Sequence, residues 1–377
     1  MSKNLNRLAF AAALLSGTAL GGVAEASHFR GAAMVPSISA TGLLTVTATS
    51  FWRPTAVADI DEGGALQVAG VGAMTQVGAQ VNDTSDTRFT RVTSVHTRQL
   101  TGGAGTYDIS ATSCCRVAGI RNGIGNTSVS WIMNSRIVWD GTGAHTPILF
   151  NFANVQPEVV RGQAYSDNLD ASSPEGLALS YALTINDPAP PSFTAVPGLT
   201  LSGTGQLQIN AASTAGLLDN NGGNVGADYM FSGDISASDG SMVEFDWLFD
   251  AVNTGSNLAP VVDDVVINAL VGDLITHTMT GTDPNGDSLT WDLVAFTGPG
   301  AFSFNTATQF FSWLSSLAGP GTYIASIRAS DGSLTDVGTI TINLALPSLQ
   351  TPEPEMLALF GLGLAGVGLL GRRRRTA

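Results

Sequence analysis

The sequence predicts an all-β protein: an N-terminal β-domain, then two tandem β-sandwiches of one repeated type, with a short helical segment at each end of the chain. Three observations carry this. The 377 residues are 44% hydrophobic but only 12% charged, about half the usual charged share, and they include 44 Gly and 16 Pro. That composition buries a sizeable core and favours sheets and turns over helices. Apolar and polar residues alternate with period two in many short stretches, as half-buried strands require. The second half also repeats itself.

Taken in order, Met1 to Arg7 carries Lys3 and Arg7, and Leu8 to Gly22 is small and apolar. Ala24-Glu25-Ala26 then offers a small-x-small cleavage site ahead of Ser27. This order is that of a secretory signal peptide over residues 1–26, cut by signal peptidase between Ala26 and Ser27. The apolar stretch is short for a membrane anchor.

Residues 27–151 alternate at Leu44 to Thr49, Tyr107 to Ser110 and Val129 to Asn134, with glycine-rich turns between, and are expected to form an all-β domain of unknown role. The repeat follows. Residues 171–183 align without a gap on 281–293, so Pro174 meets Pro284, Gly176 meets Gly286 and Tyr181 meets Trp291. Ala237-Ser238-Asp239-Gly240-Ser241 matches Ala329-Ser330-Asp331-Gly332-Ser333 residue for residue. These blocks define two copies, at 152–252 and 253–347, each of common domain size. Alternating strands such as Thr322 to Arg328 and Gly338 to Leu344, set off by turns, give each copy the look of an immunoglobulin-like sandwich, here without cysteines.

The end of the chain, 348–377, has three parts. Pro352-Glu353-Pro354 leads, an apolar run from Met356 to Leu370 follows, and Arg372, Arg373, Arg374 and Arg375 close it. Fifteen helical residues span about 22 Å, short of the ~30 Å hydrocarbon core. The arginines would hold that end on the cytoplasmic side. Motif, short span and basic stop together resemble the PEP-CTERM sorting signal of Gram-negative bacteria. The resemblance implies recognition and cutting by an exosortase, transient anchoring in the inner membrane by this transmembrane helix, and a destination at the cell surface, outer membrane or extracellular matrix among exopolysaccharide. Tails of this kind also carry an ice-binding label, which describes the tail and not an ice-binding face. The second copy is similar to cadherin-like and Ig-like domains of bacterial surface proteins, through Asn257-Leu258-Ala259-Pro260, Asp283-Pro284-Asn285-Gly286-Asp287, Phe311-Ser312-Trp313 and Ala329-Ser330-Asp331-Gly332. The first copy resembles them less, because Asn210 stands where the second has Trp313.

Charge narrows the partners. Residues 162–346 hold nineteen acidic residues against the single Arg328. Such a region repels phosphate backbones, which argues against nucleic acid, and suits divalent cations or a solvated surface. The candidate calcium ligands are Asp283, Asn285, Asp287 and Asp331, since hard cations take carboxylate and amide oxygens and Gly286 permits the sharp turn that gathers them. Asp263, Asp264 and Asp292 are near enough in sequence to join. In the first copy Ser173 and Leu177 replace the two turn aspartates. The alternative is a plain turn whose Asp and Asn satisfy the backbone.

Cys114 and Cys115 are the only cysteines. In an exported protein they form a vicinal disulfide, stay as two buried thiols, or bridge to another chain. Neighbouring Cα atoms lie closer than the usual disulfide range. The four histidines have no ligand-spaced partners, and no Gly-x-Ser-x-Gly, phosphate loop or dinucleotide fingerprint occurs, although a triad assembled in space remains open. Trp52, beside Arg53-Pro54, is the candidate for exposed stacking on a sugar. The expectation is therefore a non-enzymatic exported surface or matrix protein. Its rivals are a secreted enzyme with its site in 27–151 and a carbohydrate- or ice-binding module. Ice would need a regular threonine array; Thr45, Thr47 and Thr49 form one row that nothing in the sequence repeats.

Overall fold

The computed structural model describes residues 29–54, 58–113, 115–117, 119–123, 130–150, 158–169, 171–185, 193–219 and 228–347. The signal segment with Ala26 and Ser27, Cys114, and the tail with Pro352, Glu353, Pro354 and Arg372 to Arg375 lie outside the described residues. The described chain is all-β, with one short α-helix, Ala211–Ala215, and one 3₁₀ turn, Ser315–Leu317. Among the described residues no helix is long and apolar enough to cross a membrane.

The repeat seen in the sequence is matched strand for strand. In the second copy Thr290–Phe296, Gly321–Ser330 and Thr335–Ala345 form an antiparallel run, and Val265–Leu270 adds to Thr335–Ala345 in parallel. Against this sheet lies a second one, ordered Leu274–Thr278, Phe310–Leu314, Phe302–Asn305. The first copy repeats the plan with Leu179–Thr184, Tyr229–Ala237, Met242–Val252 and the parallel Glu158–Val160, facing Tyr165–Asn168, Gln206–Ile209 and Thr200–Leu201. One difference is a slip. Tyr181 pairs with Ile235, whereas its counterpart Trp291 pairs with Ala329, the match of Ala237. A two-residue slip keeps every side chain on its own face, so the core survives it.

The boundary expected at 151/152 is crossed by strands. Met242–Val252 pairs with Tyr229–Ala237 along one edge. Along the other it pairs with Phe29–Ile38 (Ala32 with Asp246, Ala33 with Phe245) and with Trp131–Trp139 (Met242 with Arg136). The N-terminal strands Gly105–Ser113, Trp131–Trp139, Phe29–Ile38, Leu43–Trp52 and Thr90–Gln99 therefore share one sheet with the first copy. The physical cause is visible in Phe29–Ile38, which is buried on both faces. Ala32, Met34 and Ile38 enter a core with Trp52, Trp131 and Ile137, while Ala33 packs into the core of the first copy with Phe245 and Trp247. Gly31 permits the crossing: a Cβ there would lie 2.2 Å from the Asp246 carbonyl oxygen.

The second copy keeps its own core around Phe311, Trp313, Ile327, Ile340 and Ile342. It meets the rest through side chains and turns. Thr87 donates its N–H to the Ser333 carbonyl at 3.2 Å, Thr335 donates to Asp86 at 3.2 Å, and Arg328 reaches Asp83 and Ser85.

Candidate functional site

The acidic turn lies between Gly281–Thr282 and Thr290–Phe296, at the pole of the second copy that faces the rest of the chain. Gly286 has φ +85°, in the left-handed region that glycine enters without strain. Asp283 Oδ1 accepts from the N–H groups of Asn285 at 2.7 Å and Asp287 at 3.1 Å, which closes the turn. Its Oδ2 is buried without a hydrogen-bond partner. Asp331 comes from the turn after Gly321–Ser330. Burial works to raise its carboxyl, but the N–H groups of Leu334 and Ser333 and the Asn257 amide prevail and hold it below its ordinary value. Ligand oxygens of Asp283, Asp287 and Asp331 all lie within 4.8 Å of one another. Three carboxylates so close suit a divalent cation. Beside them is an open hollow of about 560 Å³, lined by Asp283, Asp287, Trp291 and Gln309 among others.

Asn285 behaves differently from the three aspartates. Its amide turns to the linker, accepting from the Leu258 N–H at 2.7 Å and donating to the Ser256 carbonyl at 3.0 Å. Asn257 donates to Asp331 at 2.8 Å. The turn thus grips the segment joining the two copies. Asp263, Asp264 and Asp292 stay out of the cluster: they accept from Thr280, from Thr339 and from Arg328.

The first copy fills the equivalent place with protein. His145 sits between Glu175, at 2.8 Å from Nδ1, and Asp239, the counterpart of Asp331, at 2.9 Å from Nε2. Ser173 accepts the Leu177 N–H at 3.2 Å, so the turn survives without its aspartates.

A second acidic group, Asp219, Asp228 and Asp250, has members far apart in sequence, the first two outside helices and strands and Asp250 in Met242–Val252. Burial pushes the Asp250 carboxyl up, against a hydrogen bond with Asp228 that pulls it down. Asp228 also accepts the Ala251 N–H at 2.9 Å. Such an acid pair is satisfied by sharing a proton.

A serine, a histidine and an aspartate do meet in the N-terminal part. Ser94 Oγ lies 2.7 Å from Asp59 Oδ1 and 3.0 Å from His96 Nε2. The order is wrong for nucleophilic catalysis. The hydroxyl sits in the middle and donates to the carboxylate, whereas a triad places the imidazole between the other two. Ser94 is 2% exposed and His96 1%. Burial lowers the His96 pKa below its ordinary value, which keeps the ring neutral.

Trp52 is fully buried, contrary to the expectation of an exposed stacking residue. It packs edge-on to Phe29 at 5.4 Å, and Phe29 stacks on Trp131 at 4.2 Å. The threonine row is matched in part: register sets Thr97, Val95 and Thr93 of Thr90–Gln99 opposite Thr45, Thr47 and Thr49. On the other side the row meets Ser37, Val35 and Ala33, and the last two pack into the core of the first copy. Cys115 is disulfide-bonded, and Cys114 is the chain's only other cysteine.

Ion pairs crowd the joint between the copies. Arg88 donates to Asp86 at 2.9 and 2.8 Å and to Glu158 at 3.1 Å, and Glu158 also accepts the Ala259 N–H. Burial raises the Glu158 carboxyl to about 6, against the pull of Arg88.

The family model described as the PEP-CTERM protein-sorting motif matches residues 350–375. The chain is therefore an all-β protein with a PEP-CTERM sorting motif at its C-terminus, the mark of an exported protein sorted to the cell surface and processed by exosortase. No curated protein matches the chain. Among solved structures, it is similar to an endo-fucoidan hydrolase, MfFcnA9 of glycoside hydrolase family 107, at 19% identity and TM-score 0.20, over 52% of this chain and 34% of that one. It thus spans about a third of the hydrolase's length. Drosophila N-cadherin EC1-4 gives 12% identity and TM-score 0.24 over 74% and 67% of the two chains. The tandem Ig repeats of Dlar give 12% and 0.21 over 53% and 99%. Likenesses this loose carry no argument about function.

Proposed function

We propose that this is a non-enzymatic structural or adhesion protein of a Gram-negative cell surface or extracellular matrix. In this reading a signal peptide directs export, the C-terminal tail anchors the chain briefly in the inner membrane, and exosortase removes it. The mature β-body then works among exopolysaccharide and other surface proteins. The single observation that carries the reading is the sorting motif at 350–375. The buried and misordered Ser94, His96 and Asp59 favour this reading over an enzyme in 27–151. The test is the intact mass of the cell-surface form. It should lack Arg372 to Arg375, and full-length chain ending at Ala377 on the outer surface would overturn the reading.

Within that reading, calcium occupies the turn at Asp283, Asp287 and Asp331. The unpartnered Asp283 Oδ2 supports this, as does the grip of the same turn on residues 256–258. An ion there would stiffen the joint between the copies.

A further inference from the structure

The two poles of the second copy differ sharply in chemistry. One faces the rest of the chain and holds the acidic turn. The other is where the chain leaves toward the tail. Backbone and side-chain bonds tie the exit pole together: Val271 N–H to Ala345 O at 2.9 Å, Ser315 N–H to Asp273 O at 3.0 Å, Gly272 N–H to Ser315 Oγ at 3.0 Å, and Trp313 Nε1 to Pro299 O at 2.9 Å. Five leucines lie exposed on it. Leu317 is 74% exposed, Leu346 65%, Leu274 62%, Leu314 50% and Leu270 42%. Leu274 and Leu314 are directly opposite one another in the sheet.

Charge is almost absent from this pole. Of the acidic residues in the second copy only Asp273 belongs to it, and its Oδ2 accepts the Leu270 N–H at 2.8 Å. The others lie in the half toward the joint, where Asp283, Asp287 and Asp331 cluster and Asp264 and Asp336 accept from Thr339 and Val262. Soluble surfaces seldom gather large apolar side chains into one uncharged patch unless something covers them.

The length of chain beyond the pole indicates what covers it. Leu346 and Pro347 are the last described residues, and only Ser348 to Glu355 separate them from the apolar run that begins at Met356. Eight residues reach at most about 29 Å when fully extended. While the tail is in a bilayer, the leucine pole is therefore held within that distance of the lipid surface. The acidic far pole is repelled by anionic lipid and the uncharged near pole is not, so electrostatics and tether turn the same end down.

We propose that the leucine pole docks on the bilayer that holds the tail, with Leu270, Leu274, Leu314, Leu317 and Leu346 entering the headgroup–acyl boundary as the apolar face of an interfacial element does. The docked body would hold the motif at Pro352 to Pro354 close to the lipid surface. The proposal rests on the reading that the tail is inserted.

The test uses the full chain in vesicles of phosphatidylethanolamine and phosphatidylglycerol. An environment-sensitive dye is placed at Leu317→Cys, at Leu274→Cys or, as the far-pole control, at Ser288→Cys, which is also exposed. Labelling is done without reductant, because Cys115 is disulfide-bonded. Nitroxide lipids labelled near the headgroup should quench the two leucine-site dyes several-fold more than the Ser288 dye. A chain that fails to float with the vesicles overturns the tail reading and the docking together. A chain that floats with all three dyes equally unquenched overturns docking alone. Self-quenching of the Leu317 dye between labelled copies, without lipid quenching, would show that a second copy covers the pole and would also overturn it.

Discussion

Calcium binding at the turn of the second copy can be tested by melting the full chain with the ion and with chelator. The structure sets the size of the effect. Three carboxylates have oxygens within 4.8 Å of one another, and one oxygen of Asp283 is already spent on the turn. Calcium takes about 6–8 oxygens, so water must supply several, which places the site with weak extracellular modules of Kd ~10⁻⁴–10⁻³ M. At about 10 mM calcium the ion is then roughly 10 to 100 times above Kd. The folded state gains about 1.4–2.7 kcal/mol by mass action. For a domain of about 90 residues this shifts the midpoint by on the order of 10 °C. Asp287→Ala is the clean perturbation, because that side chain is exposed and the turn is closed by Asp283 instead. Calorimetry of the wild-type chain should show the transition of the second copy moving with calcium and staying with magnesium, which demands a tighter octahedron. In Asp287→Ala the movement should shrink or vanish. Equal melts of the wild type in calcium and chelator, or an undiminished shift in Asp287→Ala, would refute the reasoning.

Three further outcomes are expected. Gly31→Ala puts a methyl group 2.2 Å from a backbone oxygen of Asp246 that cannot move freely, and should cost about 2–3 kcal/mol in urea unfolding; a change under about 0.5 kcal/mol would show that the N-terminal strands do not close on the first copy as described. Glu244 is buried, and burial pushes its carboxyl up to about 9 despite its bonds from Asn134. Between the ordinary carboxyl value and about 9 the folded chain therefore holds a proton that the unfolded chain has lost, and this group makes stability fall as pH rises, by at most about 1.4 kcal/mol per pH unit. Glu244→Gln should flatten that slope and raise stability near pH 8, and an unchanged slope in urea titrations from pH 5 to 9 would count against it. Last, the native protein should resist labelling by a thiol reagent because Cys115 is oxidised, and fast labelling of the folded chain near neutral pH would contradict that assignment.

What the sequence revealed follows from how local each signal is. The tail is contiguous and needs no partner to be read. The duplication shows because Ala237 to Ser241 and Ala329 to Ser333 are identical turns at the same place in each copy. The shared sheet was hidden for a physical reason. Met242–Val252 alternates Val243, Phe245, Trp247 and Phe249 with Glu244, Asp246 and Asp250, the pattern of a strand with one wet face. In the fold that second face is covered: Glu244 accepts from Asn134 at 2.9 and 2.8 Å, and Asp246 is paired with Arg116, both fully buried against the N-terminal strands. Acidic residues that find partners over a hundred positions away look exposed to any local reading. Trp52 misled in the opposite sense, since its neighbours Arg53 and Pro54 suggest a surface turn while the indole lies in the aromatic cluster with Phe29 and Trp131.

The two copies share the Ala-Ser-Asp-Gly-Ser turn, and each answers the same two structural demands differently. The first demand is the acidic turn. In the first copy His145, supplied from outside the repeat, sits between Glu175 and Asp239, so that place is filled by the chain itself. In the second, Asp283, Asp287 and Asp331 bring carboxylate oxygens within 4.8 Å of one another. The second demand is the edge beside the long last strand. In the first copy Phe29–Ile38 and Trp131–Trp139 pair onto it. In the second, the Asp264 carboxylate accepts the Thr339 N–H at 2.6 Å and Asp336 accepts the Val262 N–H at 2.7 Å, so side-chain oxygens occupy the edge where strands do so in the first. The first copy thus shares a sheet with the N-terminal strands, while the second carries the Asp283, Asp287 and Asp331 cluster at the joint and exposed leucines at the exit.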